Sequence, residues 1–403
     1  MQRTAIGAFA SSLLVAASLL AGPQEGKEVW QFSTGANTGG ITPAVADGRV
    51  FVTTGLPGNR IFALNADTGK RLWSKDFNDP GPWSPIVVGS QVITTTESCS
   101  IYSMDTKSGH TTWSKVISSS IYSFAAGDEK YVYAVAEDTD QSWSLVCYDA
   151  RNGAAHWVSP VGTEAIGAPV IQDGVAYVAT RDGVLHAIET AHGHERWRQD
   201  RGATTAPVLV EGRLLVASEE GGFHVMSLET QDGSGAWQYT GSRSNRLESD
   251  DSTRPMPPGQ EVARAVGGNP CAGTSRPCVV DGAAYVGTQD GRLLCLDPKN
   301  GARKWEAVLV SAVLEDKSTI ASPVVAGGRV YVGTGQGEMV CLDAAQGKQV
   351  WAAKARAGFD AAPAVTGGRV YAMSVDGVVH CIDAGTPDAE GWPMWGGDAM
   401  HTR

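Results

Sequence analysis

The sequence lacks a basic patch: 32 Lys and Arg stand against 43 Asp and Glu, for a formal charge of −11. That balance excludes the cationic face that nucleic acid demands, so no nucleic-acid partner is expected. Long apolar runs are also scarce. Ala5 to Leu20 is the one conspicuous stretch, with Arg3 before it and the small pair Ala21-Gly22 after it. It reads as an export signal over residues 1–22, with a retained single anchor as the alternative, and leaves no membrane span in the mature chain. No Ser-His-Asp arrangement or phosphate loop can be argued from spacing. Strings such as Gly333-Thr-Gly-Gln-Gly337 fall at strand ends and read as turns. With 49 Gly and short alternating strands, little helix is expected.

What the sequence has in abundance is one repeated pattern. Ala63-Leu-Asn-Ala-Asp-Thr-Gly-Lys-Arg-Leu-Trp73 returns at Ser103 to Trp113, Cys147 to Trp157, Ala187 to Trp197, Ser227 to Trp237, Cys295 to Trp305 and Cys341 to Trp351. A small residue opens each copy, Asn, Asp or Glu follows two places later, and Gly precedes the Trp by four. The acidic or amide side chain caps a tight turn whose Gly supplies a positive φ, so each copy is a hairpin. A strand led by Gly lies upstream of each, as in Gly48-Arg-Val-Phe-Val52, and most are preceded by a short run led by Pro, as in Pro43-Ala-Val-Ala46. Four strands per repeat follow.

Such a period means a repeat architecture. Counting Gly-led strands near residues 48, 89, 127, 174, 212, 282, 328 and 368 gives eight. The repeat tryptophans are Trp30, Trp73, Trp113, Trp157, Trp197, Trp237, Trp305 and Trp351, also eight. Trp30 ends a repeat whose beginning is missing, while the last repeat, through His380-Cys-Ile-Asp383, lacks its Trp. Pairing the two fragments closes a ring. The expectation is an all-β, eight-bladed β-propeller of four-stranded antiparallel blades over residues 28–385, with a tail at 386–403. The first five repeats are compact. Residues 241–270, rich in Ser, Pro, Arg and acidic groups, form an inserted loop of a length that is usually functional or disordered. A shorter insertion runs from Ser311 to Ser318.

The cysteines divide by position. Cys147, Cys295, Cys341 and Cys381 fill the small-residue slot and should be buried thiols. Cys271 and Cys278 flank a short loop beside the insertion, where an exported chain can close a disulfide. No second pair completes a metal site there. Cys99 has no assigned place. The His192-Gly-His194 turn has zinc-like spacing but replaces polar turn residues of the repeat, and His186 and His380 share one register in opposite blades. No metal ligand is assigned.

The repeat resembles that of the pyrroloquinoline-quinone (PQQ) type propellers, whose tryptophan-docking motif has the form Ala-x-Asp-x-x-Thr-Gly-x-x-x-Trp. Gly391-Trp-Pro-Met-Trp-Gly-Gly-Asp398 also looks like a segment found at the ends of such domains. The resemblance implies that each Trp packs between neighbouring blades. It admits two functions. One is a non-catalytic scaffold that binds a protein or peptide through its loops, similar to the periplasmic propeller of the outer-membrane β-barrel assembly machinery. Such a protein would be exported, periplasmic or extracellular, monomeric and without cofactor. The other is a quinoprotein dehydrogenase that oxidises an alcohol or sugar with PQQ and calcium on the axis. For that chemistry the loops leading into the first strands offer Glu164 and Asp360 as base or calcium ligand and Trp83 as a stacking face. Tyr122, Thr204, Thr205 and Phe359 lie in the same loops. The sequence has no adjacent cysteine pair of the kind many such dehydrogenases carry, and none of their cofactor residues can be matched here. The scaffold is therefore the preferred expectation.

Overall fold

A computed structural model describes residues 25–36, 39–97, 100–117, 124–137, 142–218, 223–240, 275–288, 290–310, 320–386, 391–392 and 398. The export segment, Cys99, Tyr122, Cys271, the 241–270 insertion and Ser311 to Ser318 lie outside these residues. Among the described residues every regular element is a strand, and the strands form eight antiparallel sheets. Blade one shows the pattern: Ala44–Ala46, Arg49–Thr53, Arg60–Asn65 and Arg71–Asp76 run in order from the axis outward. The inner strand of each blade touches the inner strand of the next, and that of blade eight touches that of blade one. The ring is closed.

Closure follows the two orphan fragments. Glu28–Ser33 forms the outer strand of blade eight beside Val378–Asp383, with Trp30 opposite Cys381. The same register places every repeat's small residue opposite its Trp, including Ala63 with Trp73, Ser103 with Trp113 and Cys341 with Trp351. A bulge follows the small residue in each of these pairings. The slot is small because a ring system lies over it. The second strand adds an aromatic against the same Trp: Tyr371 lies 5.9 Å from Trp30 and Tyr331 5.9 Å from Trp351, ring centre to ring centre.

Each Trp also reaches the next blade. The ring of Trp30 covers Gly69, where a Cβ would stand 2.6 Å from it, and Trp73 covers Gly109 in the same way. Because Gly69 has φ +66°, both space and backbone exclude a side chain there. The contact repeats around the ring to Trp305 over Gly347. Blade eight has no docking Gly of its own, and Gly26, φ +75°, takes that place beneath Trp351. The N-terminal segment thus supplies both the last Trp and the last Gly.

The indole N–H shows where this substitution is incomplete. Trp30 donates to the Ala66 carbonyl at 2.9 Å, Trp113 to Ala150 at 2.8 Å and Trp305 to Ala344 at 3.0 Å, in each case the residue after the turn's acid or amide. At the junction of blades seven and eight the equivalent carbonyl, Ala384, instead accepts from the Tyr331 hydroxyl and from Arg329 Nη1. The buried Nε1 of Trp351 has no hydrogen-bond partner among the described residues. Trp113→Phe deletes a satisfied bond and strands a carbonyl, whereas Trp351→Phe deletes an unsatisfied donor. The first change is expected to cost about 1–2 kcal/mol more than the second. Chemical denaturation midpoints would show the difference, and equal losses would contradict this account of the junction.

Among the described residues blade seven alone is a five-stranded sheet. Gly391–Trp392 pairs with its inner strand Val324–Ala326, on the axial side.

Candidate functional site

The loops that lead into the inner strands line one mouth of the ring, and they carry the three residues singled out in the sequence. Trp83, before the inner strand of blade two, is nine-tenths buried with Phe124 edge-on at 5.7 Å. Its backbone is also engaged: its N–H donates to the Thr95 carbonyl, and its carbonyl accepts from the Thr53 and Thr94 hydroxyls. Glu164, before blade four, places Oε2 2.8 Å from Arg181 Nε. Burial pushes its carboxyl above the usual range, against the opposing pull of Arg181. Asp360, before blade eight, accepts the Gly40 N–H at Oδ1, 2.9 Å, and so ties the mouth loops of blades eight and one. Burial raises its pKa as well, with the Gly40 bond acting in the opposite direction.

These three residues therefore stand on blades two, four and eight: Trp83 and Asp360 reach the loops of blades three and one, while Glu164 pairs Oε2 with Arg181 and leaves its buried Oε1 without a hydrogen-bond partner among the described residues. A hard cation such as calcium needs several oxygen ligands converging on one point. Among the described residues no group of three His, Cys, Asp or Glu is placed to hold a metal ion.

A different constellation forms beside the blade-eight mouth loop, where His380 packs against Phe359, the neighbour of Asp360. His380 Nδ1 lies 2.7 Å from Glu28 Oε1, and its Nε2 lies 3.1 Å from the Ser374 hydroxyl. Blade four repeats it: His186 Nδ1 is 2.7 Å from Glu195 Oε1, with Thr180 3.5 Å from Nε2. A hydroxyl, imidazole and carboxylate in line resemble a hydrolytic triad, yet the hydroxyl is committed elsewhere. Ser374 Oγ lies 2.5 Å from Asp376 and 3.2 Å from the Val378 carbonyl, and Thr180 makes the corresponding contacts to Asp182 and Val184. The same hydroxyl turn recurs at Thr288 with Asp290 and Arg292 in blade six, where no His follows. The turn belongs to the blade, and the His with its Glu links the third strand to the outer strand. In blade eight this link ties the N-terminal strand to the ring beside a cavity of about 280 Å³ lined by Glu28, Lys354, Phe359, His380 and Ile382. Sequence reasoning placed the two histidines in one register but missed their partners, which lie across a strand pair.

The slot cysteines are inert by position. Burial pushes Cys147, Cys341 and Cys381 up to about 12 and Cys295 to about 11. Cys278 is a free, buried thiol whose pKa is also raised by burial, and Cys271 lies outside the described residues. Since the thiolate is the reactive form, iodoacetamide at pH 8 is expected to leave these five cysteines unmodified in the native protein. All should alkylate once the chain is denatured. Peptide mass spectrometry reads the outcome, and native labelling of Cys295 would contradict the burial described.

The fold and the docked tryptophans define the class: an eight-bladed propeller of the PQQ-type repeat. A family model described as outer membrane protein assembly factor BamB matches residues 18–165, 143–318 and 312–390, and the chain belongs to that family. It is 25% identical over 327 residues to the outer membrane protein assembly factor BamB of Moranella endobia (strain PCIT), a match covering 69% of this chain and 71% of that one. Among solved structures, BamB from Moraxella catarrhalis superposes with a TM-score of 0.66 at 16% identity, covering 89% of this chain and 99% of that one. The quinohemoprotein alcohol dehydrogenase from Comamonas testosteroni gives 0.63 at 15% identity, covering 89% and 76%. At these identities the two structures share the ring, and the ring alone does not choose between a scaffold and an enzyme.

Proposed function

We propose that this chain is an exported, non-catalytic propeller that binds a protein or peptide through the loops of a rigid ring, in the periplasm and without PQQ or calcium. The observation that carries this reading is the family match across residues 18–390, to a family described by an assembly factor of the outer membrane. Rigid scaffolds present function on loops, and the 241–270 insertion is the longest loop that this sequence offers.

Titration of the purified mature protein with PQQ and calcium tests the reading directly. No change in quinone absorbance and no dye-coupled oxidation of alcohols or sugars are expected. Binding with turnover would overturn the proposal and make Glu164, Asp360 and Trp83 the first positions to substitute. In cells, cross-linkers placed in the 241–270 loop are expected to capture proteins of outer-membrane assembly.

A further inference from the structure

We propose that the cavity between blades seven and eight, beside the seam that closes the ring, is a binding site for a small zwitterion with an apolar body, a free amino acid of the leucine or phenylalanine kind. The site goes beyond the scaffold reading and does not depend on it.

The cavity exists because two filling side chains are missing. At other junctions the residues two and four places after the docked Trp fill the space against the third strand of the next blade. Phe32, two places after Trp30, packs 5.2 Å from Phe62, and Phe77, four places after Trp73, packs 4.6 Å from Tyr102, ring centre to ring centre. Tyr239, two places after Trp237, packs with the cluster of Leu294, and Leu309, four places after Trp305, with that of Val340. After Trp351 both places hold alanine, Ala353 and Ala355. The facing residue is His380, which precedes the slot residue Cys381 as Tyr102 precedes Ser103. Its ring is committed to Glu28 and Ser374 and is met edge-on by Phe359 at 5.5 Å, so it is not free to fill the space. A cavity of about 280 Å³ is left.

Its lining sets the chemistry of the ligand. Phe359 and Ile382, 1% and 3% exposed, join the two alanines in an apolar floor. Glu28 brings a carboxylate to the rim: Oε1 takes the His380 Nδ1 contact at 2.7 Å, and Oε2 has no hydrogen-bond partner among the described residues. Lys354 brings an ammonium, which donates to the Gln336 carbonyl at 2.9 Å and stands 3.6 Å from Glu338 Oε1. An ammonium has three protons to donate, so one remains. Both charged side chains are partly exposed, and the rim therefore opens to solvent above a buried floor. A ligand with one ammonium and one carboxylate meets an opposite charge at each, through the stronger, charge-assisted kind of hydrogen bond. A purely anionic ligand faces Glu28 without a cation to offer it, and a purely cationic one faces Lys354. The volume lies just below the usual range of ligand pockets, about 300–1,000 Å³, and suits a single amino acid.

Isothermal titration of the purified protein with L-leucine and L-phenylalanine tests the site. Saturable binding of one molecule per chain is expected for at least one of them. Analogues of the bound amino acid that lack the amine or the carboxylate, 3-phenylpropionate and phenethylamine for phenylalanine, are expected to bind about tenfold more weakly or worse, since each loses a charged hydrogen bond. Ala353→Phe places in blade seven the residue that blade eight carries as Phe32, and it is expected to abolish binding while the protein still melts cooperatively. Two rim variants read the charges separately without touching the floor. Lys354→Met should weaken the amino acid about tenfold and leave the carboxylate-free amine unchanged, whereas Glu28→Gln should weaken the amino acid and leave the amine-free acid unchanged. No saturable binding of either amino acid would overturn the proposal, as would binding that survives in a folded Ala353→Phe protein or that is indifferent to both rim variants. Equal affinity for phenylalanine and phenylpropionate would remove the zwitterion from it. None of these results bears on PQQ turnover, so this site and the scaffold reading fail separately.

Discussion

A chain beginning at Thr34 is expected to lose the closed ring altogether. The deletion removes Glu28–Ser33, and with it the ladder to Val378–Asp383. It removes Trp30 from Gly69 at the junction of blades eight and one, and Gly26 from Trp351 at the junction of blades seven and eight. The 2.7 Å link between Glu28 and His380 goes too, as do the backbone bonds joining Gly26 and Lys27 to Asp383. What remains is an unpaired sheet edge along Val378–Asp383, a Gly69 face without its aromatic cover and a Trp351 without the glycine it packs on. An exposed edge of this kind templates aggregation. The half-buried Trp30 is a large aromatic whose truncation is worth about 3 kcal/mol or more, and the Gly26 contact of Trp351 and the ladder are lost with it. The sum reaches the whole stability of a typical domain, about 5–15 kcal/mol. Size-exclusion chromatography and thermal melts of chains starting at residues 23 and 34 would decide. The longer chain should be compact with a cooperative transition, and the shorter should aggregate or melt without one. A chain from Thr34 that melts normally would show that closure does not depend on this strand.

Much of this was readable before any coordinates, because a repeat states its structure several times over. The Trp without a beginning at residue 30 and the repeat without a Trp after Asp383 define a join that no single copy would reveal. The small-residue slot was equally legible, since Ala63, Ser103 and Cys147 share nothing but size, and size is what a facing Trp selects. Features that use the chain only once were not legible. Gly26 replaces a docking glycine from the opposite end of the sequence, and no local motif marks it. The His380 and Glu28 pair joins residues at the two ends of the chain, and the His186 and Glu195 pair crosses between adjacent strands. Gly391–Trp392 is too short to carry a period, so its place on blade seven emerges only from pairing. The repeat already places Trp83, Glu164 and Asp360 in the mouth loops of three blades, but their partners Phe124, Arg181 and Gly40 follow no repeat and emerge only from packing.

Trp197→Ala is the sharpest test of docking inside a regular repeat, away from the closing seam. Trp197 lies across from Ala187, packs 6.1 Å from Tyr177 and covers Gly233 of blade five, where its Nε1 also donates to the Thr230 carbonyl at 2.9 Å. Truncation opens a void over Gly233, leaves that carbonyl without its donor and uncovers the Ala187 slot. A Trp-to-Ala change of this kind costs about 3–5 kcal/mol, most of it lost at one junction. Because neighbouring blades touch only their neighbours, the damage should stay local to blades four and five. Hydrogen exchange should rise in 175–189 and 213–229 while the strands of blades one and eight keep their protection. Trp197→Phe restores the apolar face but not the N–H and is expected to recover most of the loss, leaving a deficit of about 1 kcal/mol. An unchanged melting curve for Trp197→Ala would remove the docking role from the tryptophans. A loss spread evenly around the ring would instead mean that the blades report on one another through the closed ring rather than through nearest neighbours.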